Sequence, residues 1–301
     1  MAIFTSITDA RERLAATGYL VDEELATIVY LGDALGKPIL LEGPAGTGKT
    51  ELAKAVAEAA GATLVRLQCY EGLDEARALY EWNYRKQLLR IQAASAVSSG
   101  SGSDSGSGSG SWSDLHDDIF SEEFLLSRPL LTAITQTTPT VLLVDETDKA
   151  DIEVEGLLLE VLSDFQVTVP ELGTISATHR PFVVLTSNAT RELSEALKRR
   201  CLYAHVDYPE AQRERAIVMS RVPEIADELA AELVRAVRAM RAIDLRKPPS
   251  VAESIDWARA MKALGVEKLT DEVIGQTLGV VLKHHSDRLK VQEQLGLQPP
   301  N

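Results

Sequence analysis

The chain of 301 residues carries 31 basic and 45 acidic side chains, a formal net charge of −14. Apolar residues at 45% and charged residues at 25% exclude global disorder, and the acidic balance disfavours non-specific attraction to a phosphate backbone. A chain of this length exceeds what one hydrophobic core usually serves, so one large and one smaller domain are expected.

The first residues meet Asp9, Arg11, Glu12 and Arg13 before any apolar stretch long enough for a signal peptide. No window approaches the roughly 18–20 apolar residues of a membrane-spanning helix. A cytoplasmic location without membrane contact is expected. Leu25, Ile28, Val29 and Leu31 recur at helical spacing behind Asp22, which predicts a helix over 22–35. Ile39–Leu41 is a short apolar run of the buried parallel-strand type, and Leu52, Ala53, Val56, Ala57 and Ala60 predict a helix closed by Gly61. Residues 63–67 read as a second strand, so the chain opens with an α/β crossover unit.

Residues 98–111 are serine and glycine with one aspartate, a composition that behaves as a flexible tether. A natural insertion and an engineered replacement would look alike here. Two further strands are expected at 141–144 and 182–186, with a helix around Leu157–Leu162 and a hairpin of 166–169 with 174–176 between them. From Tyr208 onward only helical periodicity remains. Stripes occur at Ile225, Leu229, Leu233, Val237 and Met240, at Ile255, Ala258 and Met261, and at Val273, Leu278, Val281 and Leu282. The reading is an α/β core over 1–207, with a central parallel sheet flanked by helices, followed by a small all-α domain over 208–301.

Between the first strand and its helix lies Gly43-Pro44-Ala45-Gly46-Thr47-Gly48-Lys49-Thr50, a match to G-x-x-x-x-G-K-[ST]. Glycines there let backbone N–H groups turn inward around phosphate oxygens at a helix N-terminus. Lys49 supplies a charge for β- and γ-phosphates, and Thr50 offers a hydroxyl to Mg²⁺. Asp145 and Glu146 end the apolar run Val141–Val144, at the edge where open α/β sheets bind ligands. Asp145 is read as orienting the Mg²⁺ shell and Glu146 as the general base acting on water. Asn188 follows the strand 182–186 and would reach the γ-phosphate or that water, unless it merely caps a turn. Lys198, Arg199 and Arg200 cluster at the end of a short helix. They complement its dipole or furnish an arginine finger to a neighbouring subunit.

The order GPAGTGKT, VLLVDE, VVLTSN, LSEALKRRC and then a helical domain resembles that of AAA+ ATPases. The flanking segments RLQCYEGLD, IFSEEFLLSRPLL and LLLEVLSDFQVTV resemble the MoxR branch, and within it the CoxD-type members. The resemblance covers about residues 17–290 apart from the Ser/Gly segment. It implies an AAA+ core with a helical lid, Mg-ATP hydrolysis, and a homo-oligomeric ring, usually a hexamer, with ATP between subunits. It also implies chaperone-like remodelling of a protein client with a von Willebrand A domain partner, and assistance in maturing a metal-containing enzyme of the molybdenum hydroxylase kind. Matching the trans-acting arginine to LKRRC favours Arg200, with Arg199 as the alternative. Gln68 falls where relatives place a polar residue that couples partner binding to the base. One departure stands out: where MoxR proteins carry a second-sensor arginine in an S-P-R segment, this chain has Pro248-Pro249-Ser250-Val251-Ala252-Glu253. Arg246, Lys247 and Arg259 are candidates for that role.

Two alternatives compete with a protein remodeller. A nucleic-acid-dependent ATPase is disfavoured by the acidic charge, and a non-catalytic scaffold by the presence of both Lys49 and Glu146. Cys69 and Cys201 are too few for a disulfide framework or a four-ligand zinc site and are read as free thiols. His116, His179, His205, His284 and His285 show no metal-ligand spacing. Trp82 and Tyr84 are placed in a helical stretch, either packed in the core or facing a partner.

Overall fold

The computed structural model describes residues 3–100 and 118–296. Two helices come first, α1 (Ile7–Ala16) and α2 (Glu23–Leu35). The Asp22 carboxylate caps α2 by accepting the amide of Leu25 at 2.8 Å, and Gly36 ends it in the left-handed conformation. The crossover unit follows as β1 (Ile39–Glu42), α3 (Lys49–Ala60) and β2 (Thr63–Gln68). The short α4 (Glu75–Ala78), β3 (Tyr80–Trp82) and α5 (Tyr84–Gly100) lead up to the undescribed segment. Residues 98–100 of the Ser/Gly stretch close α5, while 101–111 and His116 lie outside the described residues.

Beyond it come β4 (Leu125–Ser127), α6 (Pro129–Thr135), β5 (Thr140–Asp145) and α7 (Ile152–Asp164). The hairpin of β6 (Gln166–Val169) and β7 (Gly173–Ser176) precedes β8 (Phe182–Ser187), α8 (Glu195–Arg200) and β9 (Leu202–His205). Helices α9 (Ala211–Arg221), α10 (Asp227–Arg241), α11 (Val251–Ala263), α12 (Asp271–Val281) and α13 (His285–Leu295) complete the described chain.

Five strands make one parallel sheet in the order β2-β5-β8-β1-β9. Strands β5 and β8 are buried at every position, as strands covered on two faces must be, whereas the edge strands β2 and β9 each have a single fully buried residue. Period-2 alternation divides the sheet between two cores. Leu40, Leu142, Val144, Val183 and Leu185 pack with α6, α7 and the hairpin. Ile39, Leu41, Val141, Leu143 and Val184 pack with α1, α2 and α3. A third cluster, built by Val218, Leu233, Val237, Trp257 and Leu278 among others, belongs to the C-terminal helices alone. Among the described residues no helix is long and apolar enough to cross a membrane.

Trp82 corrects the helical reading of its region. It lies on β3, paired antiparallel with Leu125 of β4, and packs edge-on against Phe120 at 5.1 Å between ring centroids. The indole is 7% exposed because it fills the core beneath β3–β4. Tyr84, two residues on, starts α5 and is exposed.

Candidate nucleotide site

Strand β1 ends in the loop 43–48, which turns directly into α3. Gly43 is pinned between the exits of three strands: its amide donates to the Ser187 carbonyl at 3.3 Å, and a Cβ there would collide with the Val206 carbonyl. Gly46 adopts φ 75°, and a Cβ on it would strike Ser250 at the start of α11, so the loop and the helical domain meet without room for a side chain. Gly48 is the N-cap of α3 and has no side chain to satisfy that helix's first amides. The buried Lys49 ammonium donates to the carbonyls of Gly43 at 2.7 Å and Pro44 at 2.6 Å. Burial pulls its pKa below the ordinary lysine value, against the opposing pull of Asp148, Asp145, Glu146 and Glu42. Tyr19 closes the other side of the loop, donating to the Gly48 carbonyl at 3.1 Å, and burial raises its phenol pKa.

Asp145, at the end of β5, is almost fully enclosed. Its Oδ1 accepts the hydroxyls of Thr50 at 2.9 Å and Thr186 at 2.6 Å, and its Oδ2 accepts Arg66 Nη2 at 2.6 Å and Nε at 3.1 Å. Thr186 also accepts the Glu146 amide at 2.9 Å. Glu146 sits at φ 56°, ψ 48°, a left-handed conformation that costs a non-glycine residue about 1–2 kcal/mol. Its carboxylate accepts Gln68 Nε2 at 3.0 Å. Asp148 anchors the turn after β8: it accepts the amides of Asn188 and Thr190, each at 3.1 Å, and the Thr190 hydroxyl at 2.5 Å. Burial alone would raise the Asp148 pKa, but these three donors outweigh it and hold the carboxyl below its ordinary value.

Together these elements wall a cavity of about 470 Å³. Ala45, Gly46, Thr47, Gly48, Lys49, Thr50, Asp145, Glu146 and Asn188 line it, while Gly43 and Pro44 support it from behind. Leu20 and Leu25 from the N-terminal segment and Ile217, Val251 and Ile255 from the helical domain supply apolar wall. Arg199 and Arg200 do not line the cavity. Both are exposed at the end of α8 and form no ion pair among the described residues. Of the three second-sensor candidates only Arg259 lines it; the amides of Arg246 and Lys247 are tied to Asp287 instead. Arg213 and Arg221 of α9 line it too, bonded to Asp22 and Glu51.

Sequence reading missed Arg66, Thr186 and Asp148. Period 2 along Thr63–Gln68 puts Arg66 on the same strand face as Gln68, but only the register of β2 with β5 brings it to Asp145. Among the described residues no group of three or more His, Cys, Asp or Glu could hold a metal by itself. A divalent cation at Thr50 and Asp145 would need phosphate oxygens and water to complete its shell, which is how Mg²⁺ is ordinarily held. The glycine cradle, the side-chain-free start of α3, the buried lysine and the Thr50–Asp145 pair therefore fit Mg-ATP.

A parallel sheet with this loop at the end of an interior strand, an acidic pair at the end of β5 two strands away and a helical domain over the cleft defines a P-loop fold of the AAA type. A family model for the AAA domain of the dynein-related subfamily matches residues 38–201, more than half of the chain, and the chain belongs to that family. Its members are ATPases. Among solved structures, the AAA domain of FIGL-1, crystallised with ADP, is 18% identical, with 87% of this chain and 72% of that chain covered at a TM-score of 0.40. A likeness that distant adds nothing to the assignment. The comparison with curated proteins finds no match.

Proposed function

We propose that the chain hydrolyses Mg-ATP in this cavity and uses the energy to remodel a protein client as a ring of identical subunits. The observation that carries the reading is the convergence on one cavity of Lys49, the Thr50–Asp145 pair and the base Glu146, whose backbone is held in a strained conformation. ATP phosphates take the place at the loop where Lys49 donates to the Gly43 and Pro44 carbonyls, and the open amides of α3 face them. When bound at Thr50 and Asp145, Mg²⁺ supplies Lewis-acid stabilisation of phosphate charge. Glu146 orients water and accepts its proton, and Asn188 fixes the geometry beside it. Arg200, exposed at the end of α8 and without an ion pair among the described residues, is the group offered to a neighbour's phosphates, with Arg199 as the alternative.

Membership of the MoxR branch, a von Willebrand A domain partner and a metalloenzyme client are further parts of this reading, and the flanking motifs of the sequence support them. The test is the solution mass of the Glu146→Gln protein with and without Mg-ATP. Growth from 32.7 kDa toward roughly six times that mass is expected. A monomer that binds ATP would contradict the ring.

A further inference from the structure

We propose that Arg66 is a positioning residue that couples the magnesium-side carboxylate Asp145 to the base Glu146, through Gln68. The inference rests on the ATPase reading. Strand register sets it up: Gln68 lies opposite Asp145 and Arg66 opposite Leu143, so both polar side chains stand at the end of β2 next to the acidic pair of β5. An ionised carboxylate offers about four acceptor positions. On Asp145 all four are taken, two by the Thr50 and Thr186 hydroxyls and two by the Arg66 guanidinium.

The same Arg66 Nη2 also donates to Gln68 Oε1. Because a guanidinium has donors only, this bond decides which way the glutamine amide faces. Oε1 turns to Arg66, and Nε2 is left to donate to Glu146 Oε2 at 3.0 Å and the Cys69 carbonyl at 3.4 Å. An unbroken chain of three contacts thus runs Asp145–Arg66–Gln68–Glu146. At one end it holds the carboxylate that faces the cation, and at the other the carboxylate that must turn to water.

A divalent cation beside Asp145 and the guanidinium of Arg66 compete for one anion and repel each other. Occupying the cation site therefore weakens the Arg66 contact, frees the glutamine amide and releases the base. Linkage makes this reciprocal: removing Arg66 must strengthen cation binding. The expected effect is opposite to that of a merely structural arginine, whose loss would loosen the site.

The test titrates Mn²⁺, followed by its paramagnetic resonance, into the full chain with ADP present, for wild type, Arg66→Gln, Arg66→Ala and Gln68→Ala. Both Arg66 variants should bind Mn²⁺ roughly three- to tenfold more tightly. Their basal kcat for ATP should rise severalfold with KM unchanged. On a Gln68→Ala background, Arg66→Ala should leave kcat where Gln68→Ala alone put it and still tighten Mn²⁺. Unchanged or weaker Mn²⁺ binding in variants with a native circular dichroism spectrum would overturn the coupling, as would additive effects of the two substitutions on kcat. A wild-type chain that binds no Mn²⁺–ADP would overturn the ATPase reading itself.

Discussion

A buried ion pair ties helices of the helical domain together, and breaking it should unseat the phosphate loop at a distance. Glu214 of α9 is fully buried and Arg241 of α10 is 9% exposed. They form two parallel bonds of 2.6 and 2.8 Å. Glu214 also accepts the Ser254 hydroxyl of α11 at 2.7 Å. Arg241 donates its Nε to the Pro249 carbonyl at 2.7 Å and lies over the Tyr208 ring at 4.3 Å. Pro249 precedes Ser250, which touches Gly46. Arg241→Met leaves the Glu214 carboxyl buried and short of two donors, a change that typically costs about 3–5 kcal/mol. Arg241→Met with Glu214→Leu removes both side chains of the pair; the Ser254 hydroxyl keeps the Ser250 carbonyl at 3.3 Å as its acceptor, so what remains is chiefly the unpaired Pro249 carbonyl, about 1–3 kcal/mol. Urea denaturation followed by circular dichroism should therefore show the double variant more stable than Arg241→Met alone. ATP affinity should fall in both, because both release the 248–250 segment from its hold against the loop. A single variant within about 1 kcal/mol of wild type, or a double variant as costly as the sum of the two singles, would refute the reasoning.

Acid should loosen the turn that carries Asn188. Asp148 and Glu155 hold folded pKa values below their ordinary 3.8 and 4.5, so their stabilisation is complete above those values and is lost as pH falls through the lower folded ones. A melting temperature that drops below about pH 4.5, and drops less in Asp148→Asn and Glu155→Gln, is the expected result. Trp82→Ala should cost about 3–5 kcal/mol by emptying the core under β3–β4, measurable as a shifted urea midpoint. Burial pushes both thiols, Cys69 and Cys201, up to about 12. Disulfide reagents at pH 8 should react with them slowly in the native protein and at once in urea.

Much of this fold was legible because its signals are local. Four apolar runs bounded by glycine, proline or charge became β1, β2, β5 and β8, and Gly61 closed α3 where the periodicity ended. The edge strand β9 escaped notice, since Leu202–His205 is paired on one side only and carries no continuous apolar run. Trp82 was misplaced for a related reason: a strand of three residues has too little period to read, and its partner lies across the undescribed segment. In the site, the loop residues and the acidic pair followed from spacing. Arg66 did not, because its bond to Asp145 joins residues 79 positions apart and only the sheet register brings them together. The cavity arginines of α9 were equally hidden. They reach the nucleotide cleft only through the packing of the helical domain against Asp22 and Glu51.

The most direct test of the account is ATP binding and single-turnover hydrolysis measured side by side in wild type and Glu146→Gln. The account predicts that both bind Mg-ATP with similar affinity, while the variant loses at least about a hundredfold in hydrolysis. A variant that hydrolyses ATP at the wild-type rate would contradict the assignment of the base. A wild type that binds but never hydrolyses would contradict the ATPase itself.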